Sequence, residues 1–227
     1  MSAETIESVA TQAEGNAFYL EEMIVAVAHA RRGGEPSGPL PQTVLGMVQA
    51  RLSELDAEVR RVLRAASVFG EVFWVSGVAA LLGDALPSSV IDVLIQREIV
   101  VSRAGSRFAG ERELSFRHAL LREGAYATLT AADQVEGHAL AGEWLEKVGE
   151  TDAMVLARHF EIGGERERAA AFFLRAAKQA LRAAEVDAVI ERGERALPDL
   201  ATDEERRECQ LLLDHARSSR FVLSGVR

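Results

Sequence analysis

The sequence predicts a mainly α-helical fold, and three observations predict it. From His118 onward, apolar residues recur at helical spacing through to the last third of the chain. Only three short apolar runs read as strands: Val72–Trp74, Ile99–Val101 and Glu113–Phe116. The stretch Arg32–Pro41 holds three prolines and three glycines in ten residues, which breaks any helix and separates a helical hairpin from the rest of the chain.

The hairpin comprises Glu4–Ala13 and Ala17–Arg32, joined at Gly15–Asn16, a pair suited to a helix C-cap or tight turn. It is assigned to residues 1–32, and the linker to 33–41. Beyond it, Gln42–Leu52 is amphipathic. Ser53, with Asp56 three residues on, reads as the N-cap of a helix that carries Val59, Val62, Leu63 and Ala66 on one face and ends near Gly70. The strand at Val72 comes next, then helices over 75–82 and 87–97 divided by Gly83, then the second strand, a loop over 103–110 and the third strand. Helix, strand, helix, helix, strand, loop, strand is the order of a winged-helix domain with a small β-hairpin, its loop being the wing. That domain is assigned to 42–130, with Phe69, Phe73 and Trp74 in its core and the Arg60–Arg61 pair on a solvated face, as Arg31–Arg32 is in the hairpin.

Helices are expected at about 118–128, 131–148, 152–162, 165–183, 185–197 and 202–219. Within them Leu156, Ala157, Phe160, Ala169, Phe173 and Ala176 fall at six of the eight positions of the tetratricopeptide pattern, with small residues where paired helices must approach closely. Ala153 and Leu181 miss its Trp and Pro positions. A second unit through Val189 and Ala196 is compressed and has Gly193 at the aromatic site. Residues 131–227 are therefore read as a tetratricopeptide-like arm.

The net charge of −9 works against a nucleic-acid partner, because neutralising phosphates dominates that affinity. The helix over 87–97 would have to read bases, yet it offers Gln96 and Arg97 against Asp92, with Glu98 following. Wing residues Arg103, Arg107 and Arg112 are offset by Glu111 and Glu113. A single cysteine, Cys209, supports no disulfide framework. The start has no basic leader and no apolar run reaches membrane-spanning length, so the expected setting is cytoplasmic with no membrane partner.

Catalytic motifs are missing. The two lysines, Lys147 and Lys178, follow no glycine of a GxxxxGK[ST] loop. Leu211–Asp214 imitates a Walker B strand but continues a charged helical run. His29, His118, His138, His159 and His215 show no metal-ligand spacing, and there is no GxSxG or HExxH. The expectation is a non-enzymatic chain without metal or bound cofactor.

Several segments carry a resemblance. Ala13–Met23 (AEGNAFYLEEM), Leu40–Val44, Ala50–Leu52, Leu63–Gly70 and Phe116–Tyr126 (FRHALLREGAY) resemble, in that order, the end of the nucleotide-binding module and the following winged-helix region of bacterial STAND-type AAA+ ATPases. The helical third is similar to their sensor arms. The resemblance implies a regulatory part of a signalling ATPase, which couples nucleotide state to a protein-interaction arm. ATP or ADP would be held by the remainder of such a protein, and the partner is a protein or that ATPase module itself. It also implies that His118, after Phe116 and Arg117, reaches the ADP phosphate and latches the closed state, and that Gly15–Asn16 lies by the adenine. Ala17 stands where the family has proline, so the adenine contact is not carried over; the residue reading of Gly15–Asn16 is a plain turn. For His118 the residue reading is a helix cap, or a partner of Glu123 or Glu113. Two other functions stay open: a free-standing adaptor whose arm binds a protein, and a winged-helix DNA-binding regulator.

Overall fold

The computed structural model describes residues 44–84 and 86–224. The helical hairpin, the linker and the Gly15–Asn16 turn lie outside the described residues. The chain runs α1 (Val44–Ser53), α2 (Ala57–Phe69), β1 (Val72–Trp74), α3 (Val75–Leu82), α4 (Ser88–Gln96), β2 (Val100–Ser102), β3 (Glu113–Phe116) and α5 (Ala119–Tyr126). It continues as α6 (Ala131–Lys147), α7 (Ala153–Ile162), α8 (Arg166–Arg182), α9 (Val186–Ala196), a 3-10 turn (Leu197–Asp199) and α10 (Asp203–Ser224). The fold is mainly helical, with ten α-helices and one small sheet among the described residues.

The sheet has three antiparallel strands in the order β1-β3-β2, one more than the expected hairpin. β3 is central: Leu114 stands opposite Phe73 on one side and Ser102 on the other. With both neighbours in place, Leu114 and Phe73 are fully buried and can be large and apolar. They join a first core with Val59, Val62, Leu63 and Ala66, the face expected of α2, and with Ile91 and Leu94 of α4.

The start of α2 differs from expectation. Ser53 is the last residue of α1, and its hydroxyl donates back to the Ala50 carbonyl at 2.7 Å instead of capping α2. Asp56 takes the N-cap position without a side-chain bond. Arg60 helps close this turn, donating to the Ser53 carbonyl at 3.1 Å and to that of Leu55. Arg61 reaches the Leu82 carbonyl at 3.0 Å and Asp84 at 3.6 Å. The arginine pair therefore ties loop ends together and is more than a solvated face.

The start of α6 carries a reciprocal capping box that the sequence reading passed over. Thr130 Oγ1 accepts from the Asp133 N–H, and Asp133 accepts from the Thr130 N–H, both at 3.1 Å. Hydrogen bonding to Thr130, to its side chain first and its backbone N–H second, holds the Asp133 carboxyl below its ordinary pKa.

The second core lies among α6–α10. Every one of Leu156, Ala157, Phe160, Ala169, Phe173 and Ala176 is buried, and successive helices pack on one another through them. Gly193 has a structural reason: a Cβ there would lie 2.8 Å from Leu213 Cδ2, so Leu213 of α10 fills the space an aromatic residue would need. The segment Leu211–Asp214 is helical, with Leu211 exposed and Leu213 buried.

Phe173 is 2% exposed at the centre of this packing, so Phe173→Ala should destabilise the chain by about 3–5 kcal/mol in urea melts. A loss below about 1 kcal/mol would contradict its place in the core.

Candidate functional site

The two cores meet along one seam, and short-range chain geometry creates it. Phe69 ends α2, Gly70 turns the chain, and three residues of β1 deliver Trp74 to the same region. Trp144 comes from α6, and Phe108 from the loop between β2 and β3. Phe69 meets Trp74 and Trp144 edge-on, with ring centroids at 6.2 and 5.6 Å. Trp74 lies 4.8 Å from Phe108 and 5.5 Å from Trp144. Helix α3 comes close enough to complete the seam only because residue 77 is glycine: a Cβ there would sit 2.9 Å from Phe69 and 3.2 Å from Trp144. Trp74 thus belongs with the second core, where the sequence reading had placed it in the first. Such edge-on aromatic pairs are each worth about 0.5–1.5 kcal/mol beyond the area they bury.

At the Phe108 end, carboxylates close the seam. Glu113, 7% exposed, accepts from Trp74 Nε1 at 3.1 Å, from the Arg107 N–H at 2.8 Å and from Arg103 at 2.8 Å. The Arg107 guanidinium crosses to Glu150, whose same oxygen accepts the Asp152 N–H at 2.7 Å. Glu150 Oε2 is buried without a hydrogen-bond partner among the described residues. Two of the three loop arginines are therefore engaged by buried carboxylates, one of them on the far side of the seam.

At the Phe69 end lies a polar relay. Tyr126 Oη is 2.9 Å from His138 Nε2, and His138 Nδ1 is 3.1 Å from His159 Nδ1. The His159 ring lies 6.4 Å from Phe69. Arg122 covers the Tyr126 ring at 4.6 Å and donates to the Ser67 carbonyl at 2.9 Å. Burial, and then the charge of Arg122, pushes His138 down to about 4; burial, and then the neighbouring His138, pushes His159 down to about 3. Both rings are neutral at neutral pH. One Nδ1 then donates and the other accepts, and the Tyr126 hydroxyl, able to do either, complements the His138 Nε2 in each tautomer.

The sequence-predicted sensing residues lie elsewhere. His118 occupies the N-cap position of α5, half-buried, with its carbonyl accepting from the Leu121 N–H at 3.0 Å; its side chain makes no capping bond. The side-chain cap reading of His118 is therefore corrected, because it is the backbone of this residue that serves the helix start. Arg117 is exposed, pairs with Glu98 at 3.4 Å, and donates its N–H to the Ile99 carbonyl. The structure brings Arg117 and His118 together at the β3–α5 junction. Gly15 and Asn16 lie outside the described residues.

His138, His159, Glu150, Phe108 and Trp144 were missed as site residues. A signal for His138 existed: it shares the inner face of α6 with Ala141 and Leu145, three and seven residues on, all buried. His159 likewise sits among Leu156 and Phe160. Among the described residues, no group of three His, Cys, Asp or Glu side chains could hold a metal ion. No helix among them is long and apolar enough to cross a membrane. Comparison with known proteins gives no match, whether to a family model, a curated protein or a solved structure.

The Arg107–Glu150 contact generates a direct test. Glu150's side chain is 1% exposed, so Arg107→Ala should leave a buried carboxylate with one backbone donor and cost about 1–3 kcal/mol in denaturant melts. In a Glu150→Gln background the same change should cost less than half as much, because no charge is left behind. Equal costs in the two backgrounds would show that the pair is not coupled.

Proposed function

We propose that this chain is a non-catalytic regulatory part of a STAND-type signalling ATPase, in which a winged-helix domain passes nucleotide state to a tetratricopeptide-like arm. The carrying observation is the seam: Phe69, Trp74, Phe108 and Trp144 join the two cores into one packed unit, so displacement of one is resisted by the other. Supporting the winged-helix assignment are the element order and the sheet order β1-β3-β2. Supporting the arm assignment is the burial of all six tetratricopeptide-pattern residues.

The same geometry favours a protein partner over nucleic acid. The wing arginines Arg103 and Arg107 face Glu113 and Glu150, and α4 exposes Asp92 beside Gln96. A wing tied to the arm has little freedom to enter a groove, and two of its three arginines are already paired with carboxylates. In this reading Arg117 and His118, side by side where β3 gives way to α5, sense the phosphates of ADP held by an ATPase module, and this chain itself carries no nucleotide.

The native polypeptide, captured by antibody and sequenced by mass spectrometry, should contain a GxxxxGK[ST] segment before the residue numbered Met1 here. In that longer protein His118→Ala should weaken ADP binding by at least about tenfold, since one charge-assisted contact contributes about 1.5–3 kcal/mol. A native chain that begins at Met1 without any ATPase segment, or ADP affinity unchanged by His118→Ala, would overturn the reading.

A further inference from the structure

The Tyr126–His138–His159 relay is not needed to join two cores, since the aromatic cluster already does so. Its chemistry is unusual for an interior: two imidazoles share one hydrogen bond between Nδ1 atoms 3.1 Å apart, where apolar side chains would pack without penalty. The relay also spans three elements, with Tyr126 from α5, His138 from α6 and His159 from α7, and it abuts Phe69 of α2. We propose that this relay is a pH-sensitive joint: protonation of the histidine pair breaks the Nδ1–Nδ1 bond and releases the seam between the first core and the arm.

The bond exists only while at least one Nδ1 is unprotonated, because two N–H groups cannot bond each other. Among the described residues, the charged groups that act on the pair include no carboxylate to receive the second charge. From α5 the facing groups are Arg122 and Tyr126, and Arg122 is the charged group that acts on both rings. From α2 come the Phe69 ring and Arg64, whose charge acts on Asp133 of α6. Helix α3 carries no ionisable side chain. On α6 itself, Glu143 and Glu146 pair with Arg168, which α8 sends across from the other side of α7. On α7, Glu161 is bonded twice by Arg195, and Arg158 is exposed. A proton on either ring therefore meets Arg122 and an apolar cluster, and opening to water relieves it.

Both histidines have folded values lowered from 6.5, to about 4 and about 3, so the opened state binds more protons. The closed seam keeps its full advantage above pH 6.5 and loses it as pH falls towards those folded values. Each proton taken up changes the opening equilibrium by up to about tenfold per pH unit, and two protons by up to about a hundredfold.

The protein carries its own probe, for its two tryptophans, Trp74 and Trp144, are both in the seam. Tryptophan emission and far-ultraviolet circular dichroism of the full chain should be followed from pH 8 to pH 4. The expected result is a red shift of emission that begins below pH 6.5 and precedes loss of helix. The His138→Asn/His159→Asn variant, neutral at every pH, should keep its blue-shifted emission at least one pH unit further into acid. Emission flat from pH 7 to pH 4.5, helix loss coincident with the shift, or a variant that tracks the parent curve would each overturn the proposal. Should the variant fold poorly, imidazole titration of the parent by NMR decides the matter: two rings silent above pH 5 support the joint, and all five titrating near 6.5 sink it.

Discussion

The contact of Phe69 and Trp74 with Trp144 packs the first core of the described residues against the second. Phe69 and Trp74 are fixed by the first core through α2 and β1; Trp144 is fixed by the second through α6. Aromatic rings at 5.5–6.2 Å have little room to slide, because interiors are packed as densely as organic crystals and small gaps forfeit much of the dispersion energy. Gly77 shows how tight the fit is, since even a methyl group would collide with two of the rings. Such a contact has few intermediate arrangements, which is the property a switch element needs.

The ends of the seam are stabilised by opposite means. At the Phe108 end charge is required: the buried carboxylates Glu113 and Glu150 are met by Arg103, Arg107 and backbone donors. At the Phe69 end low charge is required, since His138 and His159 cannot bond each other once both rings are protonated, and burial disfavours even the first proton. The loop joining β2 and β3 thereby braces the second core through Phe108 and the Arg107–Glu150 pair. That role explains why a loop with three arginines sits in a chain of net charge −9 without forming a basic patch.

Much of the fold was legible because it rests on local rules. The strands at Val72–Trp74 and Glu113–Phe116 and the helix at Val75–Leu82 fall where the apolar runs and the Gly83 stop place them. The six small and aromatic positions from Leu156 to Ala176 were readable because helix pairing imposes fixed spacing on size. Ser53 misled because a serine before a helix and a serine ending one look alike; the hydroxyl simply bonded backwards to Ala50. That β1 joins the hairpin as a third sheet strand escaped because it pairs with a segment some forty residues on, a contact that no local pattern encodes.

The site was far less legible, and the reason is geometric. Trp74 and Trp144 are seventy residues apart, and His138 and His159 are twenty-one, on helices whose mutual rotation no single helix specifies. Each residue taken alone has a plain explanation: a tryptophan near a strand end, a histidine on a buried helix face. The pairing becomes informative only when the faces are set against each other, and then it constrains function more than any motif. His118 is the converse case, conspicuous in sequence beside Arg117, while in the fold its backbone opens a helix. The sensing role proposed for it calls on an anion brought by another module, and the joint proposed for the histidine pair calls on protons. A latch that waits for a ligand and a joint that answers to protons would act on the same lever, since the helix that begins at His118 ends at Tyr126.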